Sequence, residues 1–160
     1  MNLQASATLP LQWQCLPFSE LSLTQWHDIV KARIAVFVVE QNCPYQEVDG
    51  KDPHCLHLMA YTASGDLAAY LRIVPPGLSY PQPSLGRVLT TDAARGSGAG
   101  KTLLQQGIQY LQQHYPGQDI QIGAQLYLDK FYRSFGFEPV SAVYLEDGIE
   151  HQDMLRRADA

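Results

Sequence analysis

Between Gly86 and Leu104 the chain passes through a β-rich run, a polar turn, the arc Arg95-Gly-Ser-Gly-Ala-Gly-Lys101 and the start of an apolar helical stripe. This order constrains the fold more than any other segment, because it requires a strand to feed a helix through a turn with almost no side chains. Gly96, Gly98 and Gly100 let the backbone approach a ligand closely, and successive N–H groups at a helix N-terminus form an anion site. A phosphate or pyrophosphate is the expected ligand. The plainer alternative is a glycine-rich turn with exposed Arg95 and Lys101. Eleven Lys and Arg against sixteen Asp and Glu give a net charge of −5. There is thus no general cationic surface for nucleic acid, and an anion must be held locally.

The rest of the pattern is that of an α/β chain. Leu11 to Phe18 reads as a strand. Ser22-x-x-Gln25 resembles a capping box, and Trp26, Ile29, Val30, Ile34 and Phe37 form an apolar stripe, predicting a helix from Leu23 to Val38. Gln41 to Pro53 reads as a polar loop. Cys55 to Thr62 and Leu67 to Val74 pair across the turn Ala63-Ser-Gly-Asp66. The proline-rich stretch Val74 to Ser84 forms a loop, because proline at that density prevents both ladder and helix. Leu85 to Thr91 is a strand, and Leu103, Leu104, Ile108 and Leu111 mark a helix ending at Pro116-Gly117. Ile120 to Ala124 is a strand and Leu126 to Phe135 a short helix. Pro139 to Leu145 and Ile149 to Leu155 close a hairpin across Glu146-Asp-Gly148. The expected architecture is one mixed β-sheet flanked by helices, a single domain over 1–160 with its core at about 11–156.

A hydrophobic fraction of 46% with 17% charged residues belongs to a globular chain. The opening MNLQASATLP has neither the basic region nor the apolar run of a secretory leader, and no stretch is long enough to span a membrane. Three cysteines, Cys15, Cys43 and Cys55, cannot all pair, and the expected location is the cytoplasm. Cys43, Cys55, His54 and His57 lack the paired short spacing of a zinc site, so no metal is expected.

Two nucleotide motifs fail on the glycine-rich arc. Gly100-Lys-Thr102 resembles the end of a P-loop, but Arg95 stands where the first glycine is required, and Lys101 stands where the dinucleotide fingerprint needs its last. Arg95-x-x-Gly98-x-Gly100 instead resembles the pyrophosphate signature of the GNAT superfamily of acetyltransferases. A second signature follows at Gln125-Leu-Tyr-Leu-Asp-Lys-Phe-Tyr-Arg-Ser-Phe-Gly-Phe137. The ElaA-like branch of that superfamily is resembled more closely, through Val38-Val-Glu-Gln41, Cys43-Pro-Tyr-Gln-Glu-Val-Asp49, Gly123-Ala-Gln125 and Tyr144-Leu-Glu-Asp-Gly-Ile149 with His151. These matches span about residues 25 to 155.

The resemblance implies a GNAT-like acyl-CoA N-acyltransferase fold and an N-acetyltransferase that moves an acetyl group from acetyl-CoA to an amine by direct attack. A non-catalytic CoA-binding module of the same fold is the alternative. It implies that Arg95, Gly96, Ser97, Gly98, Ala99, Gly100 and Lys101 hold the pyrophosphate. Val88, Leu89 and Thr90 pair with the pantetheine arm, and the Gln125 amide meets the coenzyme. Tyr132 is the expected acid for the departing thiolate. His151, Glu47 and Glu40 are candidate bases, His151 for its intrinsic pKa. Arg33 and Arg87 could bind a carboxylate of the acceptor or pair with an internal acid. The acceptor is an amine on a small molecule or a peptide, and a homodimer is compatible with the chain.

Overall fold

The computed structural model describes residues 10–159. The stretch at 1–9, read above for a leader, lies outside them. Strand β1 (Leu11–Pro17) leads into helix α1 (Leu23–Arg33), whose capping box forms as predicted: Gln25 N–H donates to Ser22 Oγ at 3.0 Å and Ser22 N–H to Gln25 Oε1 at 2.9 Å. The helix is shorter than its stripe suggests, and Ile34–Glu40 continues it as a wider π-helical segment. Four of those seven residues are β-branched (Ile34, Val36, Val38, Val39), which crowds a regular α-turn. Strands β2 (Leu56–Thr62), β3 (Leu67–Val74) and β4 (Ser84–Thr90) follow, then α2 (Ala99–His114), β5 (Ile120–Gln125) and α3 (Asp129–Arg133). The expected closing hairpin is divided into β6 (Phe137–Pro139), β7 (Tyr144–Glu146) and β8 (Ile149–Arg156). The division falls where Ser141 Oγ takes the Asp153 N–H at 2.8 Å, so that a side chain replaces a ladder bond.

The expected single mixed sheet is instead two antiparallel sheets, ordered β1-β2-β3-β4 and β5-β8-β6, with β7 also paired to β8. They meet where Gln121 N–H donates to Pro83 O at 3.1 Å, and beyond that point β4 and β5 are unpaired. The cause lies in β4. Its register with β3 slips between the pairs Tyr70–Leu89 and Arg72–Gly86, and Arg87 takes the left-handed conformation at φ +52°. This is a bulge, and a bulged strand bends away from its neighbour.

Strand β3 is buried along its whole length because helices cover both its faces. Tyr70 and Met59 meet Ile29 of α1 on one side, while Leu58 and Leu71 meet Leu103, Leu104 and Ile108 of α2 on the other. Each fully buried Leu contributes about 1.5–3 kcal/mol. Helix α2 sits so close to β3 that a methyl group on Gly107 would lie 2.8 Å from Leu71 Cδ2. The two sheets and their helices thus hold the opening between β4 and β5 on a rigid frame.

Candidate active site

That opening is a pocket of about 510 Å³. Its floor is β4 from Ser84 to Val88 and β5 from Ile122 to Gln125, and its walls come from the π-helical segment, the loop after it and the β7–β8 turn. Gln41 and Gln125 exchange amide hydrogen bonds at 3.2 Å, and the Cys43 thiol reaches Asp147 O at 3.3 Å. The loop over residues 41–53 is therefore tied to the second sheet as well as the first.

Of the residues predicted to act, Val88, Gln125, Tyr132 and His151 border this pocket. Tyr132 is 6% exposed, its ring edge-on to Phe131 and Phe137 at centroid distances of 5.4 and 5.9 Å. Burial raises its phenol above the ordinary value, so it stays protonated at neutral pH. His151 is buried rather than on the surface, stacked on Tyr144, with Nδ1 2.7 Å from Ile149 O and Nε2 3.6 Å from Glu146 Oε2. A carbonyl can only accept, so Nδ1 carries a proton, and in the neutral imidazole the lone pair lies on Nε2.

Arg95 and the six residues after it, Gly96 to Lys101, lie beyond the pocket's edge. Leu89 is packed against the α1 core, and Thr90 sits under Gly100, 3.9 Å from the position of a methyl group there. Gly96 and Gly98 have φ of +80° and +81°, with no atom within 4 Å of where a side chain would begin. Gly98 is the N-cap of α2, and no side chain caps it. The first N–H groups of α2 have no helical partner, so the arc is an open cradle that fits a pyrophosphate. Arg95 is held at its edge by Glu40, at 3.1 and 2.7 Å. That hydrogen bonding draws the Glu40 carboxyl below its ordinary pKa, which makes it a poor base.

The residues that sequence reasoning did not assemble are charged. Arg33, Arg72 and Arg87 meet Glu47, Asp49 and Asp52 in a mostly buried cluster of three cations and three anions. Arg33 donates from Nε to Glu47 Oε1 at 2.8 Å and from Nη1 to Asp52 Oδ1 at 2.6 Å. Arg72 grips both oxygens of Asp49 at 2.8 and 2.6 Å, and Arg87 Nε reaches Glu47 Oε1 at 2.6 Å. His57 closes the back: it accepts from Tyr70 OH at Nδ1 (2.7 Å) and donates from Nε2 to Asp52 O (3.0 Å). Burial alone would raise the Asp52 carboxyl, but the hydrogen bonds and charge of Arg33, with Arg72, hold it low. Arg33 thus pairs with internal acids and is fully buried, which removes it as an acceptor ligand. Glu47, 3% exposed and shared between two arginines, is committed to the cluster and unsuited to act as a base. Among the described residues no group of His, Cys, Asp and Glu could hold a metal, and no helix is long and apolar enough to cross a membrane.

The acetyltransferase (GNAT) domain family matches residues 26–157. Protein ElaA of Escherichia coli is 41% identical over 148 residues, 91% of this chain and 96% of ElaA. Its crystal structure superposes with a TM-score of 0.86 at 40% identity, covering 92% of this chain and all of that one. An acyl-CoA N-acyltransferase from Pseudomonas aeruginosa gives a TM-score of 0.87 at 40% identity, covering 92% and 99% of the two chains. A UPF0039 protein of Synechocystis is 42% identical over 149 residues, 93% of this chain and 97% of its own length.

Proposed function

From the fact that this chain belongs to the GNAT acetyltransferase family, we propose that it transfers an acetyl group from acetyl-CoA to an amine by direct attack in a ternary complex. The observation that carries this reading is the meeting of Val88, Gln125, Tyr132 and His151 around one pocket at the parting of β4 and β5. Acetyl-CoA supplies the activated thioester. The residues Arg95 to Lys101 receive its pyrophosphate through backbone N–H groups and the two cationic side chains that bracket the glycines. The bulged strand turns backbone groups of Val88 towards the pocket, where an N–H stabilises the carbonyl oxygen as it gains negative charge. His151 Nε2 takes the proton from the attacking amine, directly or through water, and Glu146 stabilises the imidazolium that results. Tyr132 gives a proton to the sulfur as the C–S bond breaks. Three unpaired thiols, two of them buried, support a reducing compartment and hence the cytoplasm.

Tyr132→Phe keeps the ring and deletes only the proton. Its kcat is expected to fall roughly 100-fold, with acetyl-CoA affinity kept within a few fold, measured by free thiol release across an amine panel and by calorimetry. Wild-type turnover in a folded Phe variant removes Tyr132 from the mechanism. Tight acetyl-CoA binding with no amine acetylated by the wild type favours a non-catalytic binding module.

A further inference from the structure

We infer that the end of the pocket bordered by Lys51, Ser79 and Arg87 is a subsite for a carboxylate, and that the acceptor is a small amine carrying its own carboxylate. This rests on the acetyl-transfer reading above and names the substrate class for it.

The first ground is the local charge. Three guanidinium groups and three carboxylates balance within the cluster, but Lys51 lies beside it and has no carboxylate partner among the described residues. Its Nζ donates only to Ser79 Oγ, at 3.0 Å. One positive charge is therefore left over, and it faces the pocket. Asp49 is the cluster acid that borders the pocket, and its charge is already spent. Arg72 engages both oxygens, the Lys51 N–H donates to Oδ1 at 3.1 Å, and Arg87 Nη2 is 3.4 Å from Oδ2.

The second ground is unfilled donor capacity. Arg72 borders the pocket, but its Nε, which has no partner among the described residues, is closed from solvent, so the reachable donor is on Arg87. Arg87 uses Nε and Nη2 on Glu47 and Asp49, leaving Nη1 without an acceptor among the described residues. The Tyr45 ring lies 5.6 Å from its Cζ and keeps the guanidinium in place. A carboxylate is the group that guanidinium geometry fits best, so it suits the unfilled donor of Arg87.

The third ground is the acidic turn. Glu146 and Asp147, in the β7–β8 turn, border the same pocket as His151, and Glu146 Oε2 is 3.6 Å from its Nε2. The lining thus carries both signs of charge, which suits a zwitterion entering with its amine towards His151 and its carboxylate towards Lys51. A polyamine or lysine-rich peptide would meet an uncompensated cation instead.

The test uses matched amines, each of glycine, β-alanine, γ-aminobutyrate and glutamate against its methyl ester, with thiol release and product mass as readouts. The free acid of at least one pair is expected to exceed its ester in kcat/KM by about tenfold or more. Lys51→Met is expected to cost the acid about tenfold more than the ester, through KM, with acetyl-CoA affinity as the folding control. Esters equal to or better than acids, or a Lys51→Met loss equal on both, overturn the subsite. Failure of every amine overturns the acetyl-transfer reading instead, and the subsite is then judged by an NMR titration with glutarate. Saturable shifts at pocket residues that Lys51→Met abolishes support it, and identical titrations of both proteins overturn it.

Discussion

The glycine-rich arc follows the C-terminal end of β4, the ion cluster meets the same strand at its middle through Arg87, and the two treat polar groups in opposite ways. In the arc, the first N–H groups of α2 have no helical partner and the glycines border open space, the arrangement the proposed pyrophosphate site calls for. In the cluster, six side chains bind one another, and among their buried atoms in the described residues only Glu47 Oε2 and Arg72 Nε lack a partner. The arc costs little to build and, under the proposed function, gains its energy when the coenzyme's pyrophosphate arrives. The cluster costs desolvation in the folded protein and recovers it only if every partner is present. The proposed phosphate site and the cluster therefore differ in how many of their polar groups the folded chain itself satisfies.

The contrast can be broken most severely from the cluster side. Arg33→Met leaves Glu47 and Asp52 buried without their main cation, and is expected to lower the unfolding free energy by about 3–5 kcal/mol in urea titrations at pH 7. A change below about 1 kcal/mol would mean that the cluster is not a unit. Gly98→Glu should behave in reverse. It puts a side chain and a negative charge into the arc, so acetyl-CoA affinity is expected to fall by about 100-fold or more while thermal unfolding stays cooperative. Unchanged affinity in the calorimeter would place the pyrophosphate elsewhere. The smallest effect is on pH. Burial depresses the His57 pKa in the folded protein below its unfolded value of about 6.5. Above that pH neither state binds the proton, and below it the unfolded chain binds it first, so stability falls as pH drops from about 6.5 towards the folded pKa. The slope from this one group cannot exceed about 1.4 kcal/mol per pH unit. The low Asp49 and Asp52 pKa values add a further loss, only below about pH 4, as those carboxylates are forced to protonate. A His57→Gln variant should flatten the slope near pH 6, and an unaltered profile would show that His57 is not kept neutral.

The arc could be read from the sequence because its chemistry is local: three glycines, two cations and a helix start fall within seven residues. The capping box at Ser22 and the stripe of α1 were legible for the same reason. The cluster was not, since its arginines come from α1, β3 and β4 and its acids from a loop that reads as polar and exposed. Burial of Glu47 and Asp52 follows from pairings that only the tertiary fold creates. The spacing Glu47-x-Asp49-x-x-Asp52 was the one available hint, but an acidic loop on a net acidic chain has no local reason to turn inward. The parting of β4 from β5 was hidden too, because it depends on a left-handed arginine at a position where the sequence shows only a strand.

Gly107 gives the arc a remote master. Helix α2 is a rod of sixteen residues, about 24 Å long, with the anion cradle at one tip and the close approach to Leu71 near its middle. The height of that rod above β3 is set by the missing methyl group, so the cradle inherits its position from a packing contact about two and a half turns away. A change at Gly107 or Leu71 would therefore shift the proposed phosphate cradle against the pocket without altering a residue that lines either one.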